Sequence, residues 1–232
     1  MQILIDVGVL LLAYLAGAIP FGLLIVKIAT GKDLRQVESG RTGGTNAMRA
    51  AGCSAGALTG ILDVAKGFAA VWAAQALSPT HYAVHVLAGL AVILGHNHSV
   101  FLPEYDEQGR LVRLRGGACG APSMGGAMGL WLPSIFFTAP LAALIFFTLG
   151  IASVTTMGAA ALGLIVFAVA ASRGLIPTIY VLYPVLSELL FVLALQSNIK
   201  KLLAGQERVV KYSLYGRMRA RRTNSSSGDG SS

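Results

Sequence analysis

A short polar loop between two apolar runs carries residue types that bind phosphate. It reads SGRTGGTNAMR and extends from Ser39 to Arg49. Its glycines let backbone N–H groups converge, its hydroxyls and amide add donors, and its two arginines carry permanent charge. A helix is expected from about Asn46, so the loop would present N–H groups at a helix N-terminus, a general anion site. The alternative is a plain connection between membrane helices. The candidate phosphate ligands are Gly40, Arg41, Gly43, Thr45, Asn46 and Arg49.

A second glycine-rich turn, RGGACGAPSMGG, extends from Arg115 to Gly126 and opens another predicted helix. Backbone N–H groups at such a helix start could hold a second anion. The candidate ligands are Arg115, Gly116 and Gly117. A hairpin turn between helices is the alternative reading of the same residues.

Asp63 and Lys66 lie inside an apolar run and are three residues apart, so they share one helix face and can form an ion pair. Ionisable groups at membrane depth are costly and usually face a polar interior. We interpret Asp63 as the structural partner in this pair and Lys66 as the residue that faces a polar, substrate-binding cavity. A purely structural ion pair is the alternative.

His96 and Asn198 each stand at the end of an apolar run, where they could meet the polar loops. A single histidine at a membrane interface is usually only solvated, so the context of His96 decides its role. His96 and His98 form an H-x-H pair, and His81 and His85 lie one helical turn apart. Neither pair has a third ligand nearby, so the sequence predicts no metal site.

The composition is that of a membrane protein. The chain of 232 residues is 55% hydrophobic and only 12% charged, whereas soluble domains have about 25% charged residues. The net charge of +8 is concentrated towards the C-terminus, where the stretch from Lys200 to Arg222 holds eight of the 18 basic residues. Such a cluster after the last apolar run indicates a cytoplasmic anchor facing anionic lipid, and we expect no nucleic-acid partner.

Seven apolar segments are predicted, although a spanning helix needs about 20 residues and the third and fourth are short. Basic residues set their orientation: the loops 31–50 and 96–117 and the C-terminal stretch hold 15 of the 18. These three regions are therefore expected on the cytoplasmic face, with the N-terminus outside and the C-terminus inside. Residues 1–207 form one transmembrane domain, and 208–232 form a basic, disordered tail. The segments are 7–29, 51–77, 82–95, 118–132, 134–150, 153–171 and 175–197.

Five motifs occur in order from residue 10 to about residue 207. They are the small-Ile-Pro-Phe-Gly run at Ala18 to Gly22, the loop KDLRQVESGRTGGTNAMR, Asp63-x2-Lys66-Gly67, Gly95-His96, and the closing run that begins at Asn198 and reaches Glu207. Together they resemble the membrane-integral acyl-phosphate:glycerol-3-phosphate acyltransferases. In the loop, the matching positions are Asp33, Arg35, Ser39, Gly40, Gly43, Thr45, Asn46 and Arg49.

The chain departs from the family pattern at several positions. A Gly-Ser pair of the family is Glu38-Ser39 here, and an Asn of the family is Arg41. The family's G-G-K-G motif reads GGAC, which places Ala118 where a lysine is expected. An inserted segment, EYDEQGRLVRLR, also lengthens this loop. We hypothesise that Arg115, Arg113 or Arg41 supplies the missing charge.

The resemblance implies an all-α membrane enzyme that transfers a fatty acyl group from acyl phosphate to the 1-hydroxyl of glycerol 3-phosphate, giving lysophosphatidic acid. It implies no cofactor, membrane lipid as surroundings, and an inner (plasma) membrane location with the active site on the cytoplasmic face. Ser39, His96 and Asn198 are the expected catalytic residues. Two alternatives stay open: a catalytically degenerate relative, suggested by Ala118, and a small anion-binding membrane transporter.

Overall fold

The computed structural model describes residues 1–210, 212–219 and 221, and these residues are mostly helical. Two strands and several 3-10 turns interrupt the helices, and residues 214–219 are also helical. The main elements are α1 (Gln2–Ala18), α2 (Phe21–Thr30), α3 (Gly44–Ala51), α4 (Cys53–Leu77), α5 (Tyr82–Asn97), β1 (Pro103–Tyr105), β2 (Leu111–Leu114), α6 (Gly120–Leu130), α7 (Ile135–Thr148), α8 (Ala152–Ser172) and α9 (Leu182–Leu203).

The first predicted apolar segment is broken into α1 and α2 at Pro20. Ile19, the residue before the proline, is extended at φ −60° and ψ 117°, because proline disfavours a helical conformation in its predecessor and donates no N–H of its own. The break frees carbonyl groups at the end of α1. These carbonyls become part of the polar site described below.

The inserted segment between α5 and α6 forms a β-hairpin, which the sequence analysis did not predict. β1 and β2 pair antiparallel, with Glu104 opposite Arg113. The turn is closed by Asp106, whose carboxylate accepts from the backbone of Gln108 and Arg110. Glu104 also pairs with Arg115, with 2.6 Å between Oε1 and Nη2. The hairpin is therefore held by ion pairs on one face.

α4 is the central helix and packs most extensively against α6, while α1 packs against α5. Glycine permits the α4–α6 approach. A side chain at Gly125 would collide with the carbonyl of Val64, and one at Gly67 would collide with the carbonyl of Pro122. Glycine at these two positions thus serves close helix packing, as expected for membrane helices.

Among the described residues, four helical segments are long and apolar enough to cross a membrane: Gln2–Thr30, Cys53–Leu77, Ala152–Ser172 and Thr178–Leu203. Tyr82–Asn97 and Leu132–Thr148 are apolar but shorter. α5 and α6, with 16 and 11 residues, are both below the ~20 residues of a full span, in agreement with the two short segments expected from the sequence.

The chain after α9 folds back onto the bundle. The backbone N–H of Val210 donates to the carbonyl of Gly150 over 2.8 Å, and Val210 and Ser213 are both buried. The predicted domain boundary at residue 207 falls within this packed segment. Residues 211, 220 and 222–232 of the predicted tail lie outside the described residues.

Candidate functional site

A single cavity of about 670 Å³ lies where the polar loops meet the helices. Its polar side is formed by the loop Ser39–Arg49, by Asp63 of α4 and His96 of α5, and by residues around the end of α9. Its apolar side is formed by α6, α7 and the start of α8. The apolar lining residues include Ala121, Met124, Ala139, Ala142, Ala143, Phe146 and Phe147.

Asp63, Lys66 and His96 form a buried polar cluster at the floor of this cavity. Lys66 Nζ lies 2.8 Å from Asp63 Oδ1 and 3.0 Å from His96 Nδ1. It also donates to the carbonyls of Gly17 and Ile19, over 2.8 Å and 3.1 Å. Lys66 therefore satisfies carbonyls that the break at Pro20 leaves free, while Asp63 and His96 line the cavity.

The contacts of His96 determine which of its nitrogens can act on a ligand. An ammonium group has donors only, so Lys66 donates to His96 Nδ1 and the proton of the neutral ring is assigned to Nε2. The ring packs against Gly117, where a side chain would collide with it, and the N–H of Gly117 donates to the His96 carbonyl over 2.8 Å. The second glycine loop thus fixes a histidine that presents an N–H.

Asn46 organises the first loop from within. Its Nδ2 lies within hydrogen-bonding distance of the carbonyls of Leu34, Val37 and Arg41, at 3.3, 2.9 and 2.9 Å. Asn46 is 3% exposed, and its Oδ1 has no partner within the described residues. The amide therefore uses its donors to hold the loop, and Asn46 lines the cavity together with Ser39, Gly43 and Thr45.

Arg41 crosses the cavity wall towards α9. Its Nη2 donates to the carbonyl of Ala194 over 2.8 Å. Burial lowers the pKa of the Arg41 guanidinium, while the nearby Cys119 sulfur and Glu207 carboxylate oppose that shift. Ala118, the neighbour of Cys119, lines the same cavity. Arg41 therefore places a cation close to the position where the family pattern has a lysine.

Arg49 is a second cation at the cavity, on α3. Burial lowers the pKa of its guanidinium, Glu38 raises it, and Arg208 lowers it. Within the described residues, no side chain or carbonyl forms a hydrogen bond or an ion pair with Arg49 at contact distance, so its planar set of donors is free to bind an anion.

Comparison with known proteins identifies the family. A family model described as "Glycerol-3-phosphate acyltransferase" matches residues 7–205. The chain belongs to the glycerol-3-phosphate acyltransferase family. The membership inferred from the five motifs is thereby confirmed.

Individual members of this family are similar to this chain over nearly their whole length. Glycerol-3-phosphate acyltransferase 3 of Dehalococcoides mccartyi is 36% identical over 219 residues, covering 86% of this chain and 93% of the relative. The Myxococcus xanthus enzyme is 36% identical over 205 residues, covering 87% and 97%.

Two crystal structures of PlsY, an integral membrane glycerol 3-phosphate acyltransferase, also match. The glycerol 3-phosphate form is 28% identical with a TM-score of 0.74, over 88% of this chain and 95% of that one. The lysophosphatidic acid form is 26% identical with the same TM-score, over 89% and 96%.

The structure brings most of the predicted acyltransferase residues together, but it places some of them elsewhere. Arg115 lies outside the cavity lining, where it pairs with Glu104 and donates from Nη1 to the carbonyl of Arg35 over 3.2 Å. Arg113 is exposed and also pairs with Glu104. Gly40, Gly116 and Gly117 shape the loops without lining the cavity, and Lys66 lies behind Asp63 and His96.

Four charged residues that the sequence analysis did not assign to the site also line the cavity: Glu38, Lys201, Glu207 and Arg208. Asn198, which was predicted, lies beside them and donates from Nδ2 to Glu207 Oε1 over 2.7 Å. The Glu of the closing motif was a sequence signal for Glu207. No sequence pattern indicated that residues after α9 return to the cavity beside the loop Ser39–Arg49.

Proposed function

We propose that this chain transfers a fatty acyl group from acyl phosphate to the 1-hydroxyl of glycerol 3-phosphate, giving lysophosphatidic acid. The family and the two PlsY forms, named for glycerol 3-phosphate and lysophosphatidic acid, support this assignment. The observation that carries it is the cavity of about 670 Å³, which joins a cationic, N–H-rich loop to an apolar wall. A phosphate and an acyl chain would need these two surfaces side by side.

The apolar wall has an extension suited to an acyl chain. A pocket of about 210 Å³ shares Gly120, Ala121 and Met124 with the main cavity and ends against Phe167 and Phe191. The lining of this pocket is largely apolar, so an acyl tail could lie here while its head group stays at the polar loop.

We assign the phosphate contacts to Arg49, Arg41, Ser39 and the backbone of the loop at Gly43 and Thr45. Within the described residues, no histidine or carboxylate contacts Ser39 Oγ, which supports hydrogen bonding to substrate rather than a covalent acyl intermediate. Phosphate is a good leaving group, so positioning and charge stabilisation lower the barrier to its departure.

We assign to His96 the role of a hydrogen-bond donor that orients the substrate or stabilises developing negative charge. Its Nδ1 lone pair is occupied by Lys66, and a neutral imidazole has only one such lone pair. This argues for orientation, not general-base catalysis, as its part in the reaction. Asp63 and Lys66 keep the ring in this state, and Asn198 with Glu207 closes the opposite wall.

We propose that Arg41 supplies the charge that the family pattern places at position 118. Of the three arginines considered from the sequence, only Arg41 lines the cavity. Arg41→Asn should raise the Michaelis constant for a phosphate substrate roughly tenfold, the effect of losing one charge-assisted hydrogen bond. Adding Ala118→Lys to that variant should restore part of the affinity. An Arg41→Asn enzyme with unchanged kinetics would contradict the assignment.

We propose the finer topology as it follows from the sequence: seven spans, the N-terminus outside, and the active site on the cytoplasmic face of the inner membrane. Support comes from the clustering of basic loops at one end of the helices. Single cysteines near Pro79 should react with an impermeant label from outside, and those near Gly43 and Lys211 should not. Labelling at Gly43 from outside would overturn the shared cytoplasmic face.

The decisive assay uses the purified chain in lipid, radiolabelled glycerol 3-phosphate, and either acyl phosphate or acyl-CoA as donor. The expected result is labelled lysophosphatidic acid with acyl phosphate. Binding of glycerol 3-phosphate without transfer from either donor would indicate the catalytically degenerate relative instead.

A further inference from the structure

The segment that follows α9 forms one wall of the cavity. Glu207 and Arg208 both line it, next to Ser197, Asn198 and Lys201 at the end of α9. The wall is therefore built from the C-terminal part of the chain, beyond the last helix that is long enough to span a membrane.

This segment is held in place by contacts at both of its ends. Asn198 donates to Glu207 Oε1, and Glu207 is 7% exposed. Further along, Val210 donates to the carbonyl of Gly150, and Ser213 Oγ donates to the carbonyl of Val210 over 2.8 Å. A side chain at Gly150 would collide with Ser213. Arg208 is thus presented to the cavity by a packed backbone.

The only ion-pair partner of Arg208 among the described residues is the carboxylate of Glu38, just before the loop Ser39–Arg49. Arg208 Nε lies 3.5 Å from Glu38 Oε2, and their side chains are 39% and 51% exposed. An ion pair this open and this long contributes little to stability. It leaves most of the Arg208 donors available to another anion.

Arg208 also faces Arg49 across the loop. Burial is the main cause that lowers the pKa of the Arg49 guanidinium. The Glu38 carboxylate opposes this shift, and the nearby charge of Arg208 adds to it. Two like charges at one cavity wall favour an anion between them. In the structure, the Glu38 carboxylate provides that negative charge.

The backbone at Glu38 is strained. Its φ is 49°, and Cys119 is the other non-glycine residue with a positive φ among those described. Residues other than glycine adopt this conformation at an energetic cost, and such strain is concentrated at functional sites. The family pattern has glycine at this position, so this chain keeps a carboxylate beside Arg208 in a backbone conformation that favours glycine.

We propose that Arg208 is a substrate-binding residue, paired with Glu38 in this structure and transferred from Glu38 to a phosphate group when substrate enters. This inference rests on the proposed function and adds a third arginine, from the C-terminal segment, to the phosphate site. The phosphate could belong to glycerol 3-phosphate or to acyl phosphate, which share the same chemistry.

The test measures Michaelis constants for both substrates in lipid for the full chain and for Arg208→Gln, Arg208→Lys, Glu38→Gln and Arg217→Gln. Arg208→Gln should raise the constant for one substrate roughly tenfold, and the substrate affected identifies the phosphate. Arg208→Lys should recover part of the loss. Arg217 is exposed and outside the cavity lining, so Arg217→Gln is the matched control and should change neither constant.

Glu38→Gln distinguishes substrate binding by Arg208 from an ion pair that only holds the C-terminal segment in place. If Arg208 binds substrate, losing the competing carboxylate should lower the affected constant. If the ion pair only fastens the C-terminal segment, Glu38→Gln should raise the constant as much as Arg208→Gln does, and the proposal is overturned. Equal constants for Arg208→Gln and the parent would overturn it as well. A parent chain without transfer activity would instead refute the proposed function, and direct binding of glycerol 3-phosphate would then test Arg208.

Discussion

Two polar clusters lie at opposite ends of the same helices, and they differ in how completely their polar atoms are satisfied. At the cavity end, Asp63 Oδ2 has no hydrogen-bond partner within the described residues, and Asp63 and His96 both line a large cavity. At the other end, the cluster around His85 and Ser78 lines neither of the two cavities described above.

The far cluster is closed by its own side chains. Ser78 Oγ donates to Asp6 Oδ1 over 2.6 Å, and His81 Nδ1 lies 2.7 Å from Asp6 Oδ2. His85 contacts the Tyr180 hydroxyl at 2.7 Å and the Ser78 carbonyl at 2.8 Å. These bonds join α1, α4, α5 and the start of α9.

The comparison shows that a histidine and an aspartate among apolar helices do not by themselves indicate a reaction. A cluster whose polar atoms are all paired stabilises the helix ends that it joins. A cluster that leaves buried polar atoms unpaired beside a cavity retains the capacity to bind a ligand, at a cost in stability that function explains.

The largest expected effect is at the cavity end, for Arg49→Ala. A charge-assisted contact to phosphate contributes about 1.5–3 kcal/mol, so transfer should fall by one to two orders of magnitude or become undetectable, with the thermal unfolding temperature little changed. Arg49→Lys should recover part of the rate, because lysine lacks the planar set of donors. Parent-like rates in Arg49→Ala would remove this residue from the site.

A reciprocal pair, His96→Ala and His85→Ala, tests the contrast directly. Removing a hydrogen-bond donor from a reacting centre typically lowers kcat about 100-fold, and we expect this for His96→Ala. His85→Ala should instead lower the free energy of unfolding by about 1–3 kcal/mol, because it removes the ring that bonds both the Tyr180 hydroxyl and the Ser78 carbonyl, while folded protein keeps its kcat. The measurements are kcat per folded enzyme and chemical denaturation in lipid. The opposite assignment of effects would invert our reading of the two clusters.

The smallest effect concerns the hairpin, outside the site. Hydrogen bonds from Arg115 and then Arg113 lower the pKa of Glu104 from 4.5 to about 2. Because the folded pKa is depressed, the stabilisation is present above pH 4.5 and is lost as pH falls towards 2. Hydrogen exchange at hairpin amides should therefore stay slow down to about pH 3 in the parent, and Glu104→Gln should exchange faster at neutral pH with transfer retained. A Glu104 that titrates near 4.5 would contradict this.

Local physics explains what could be inferred from the sequence. Apolar length predicted the helices, including the two short ones, α5 and α6. The Ile19-Pro20 pair indicates a helix break, although the first apolar segment was predicted to be continuous over 7–29. The composition of the loop Ser39–Arg49 predicted an anion site, and the structure places much of that loop at the cavity.

Tertiary structure decided which charges reach the cavity. By its position in the sequence, Arg115 was as suitable as Arg41 to supply the missing charge. In the structure the hairpin pairs Arg115 with Glu104. That pairing depends on a strand register that the sequence did not reveal. Lys66 was expected to face substrate, but the carbonyls freed at Gly17 and Ile19 draw it behind Asp63 and His96. Arg208 belonged to a basic tail in the sequence and to the cavity wall in the structure. Composition and spacing determined which groups were available, whereas the position of each cation depended on distant partners brought together by packing.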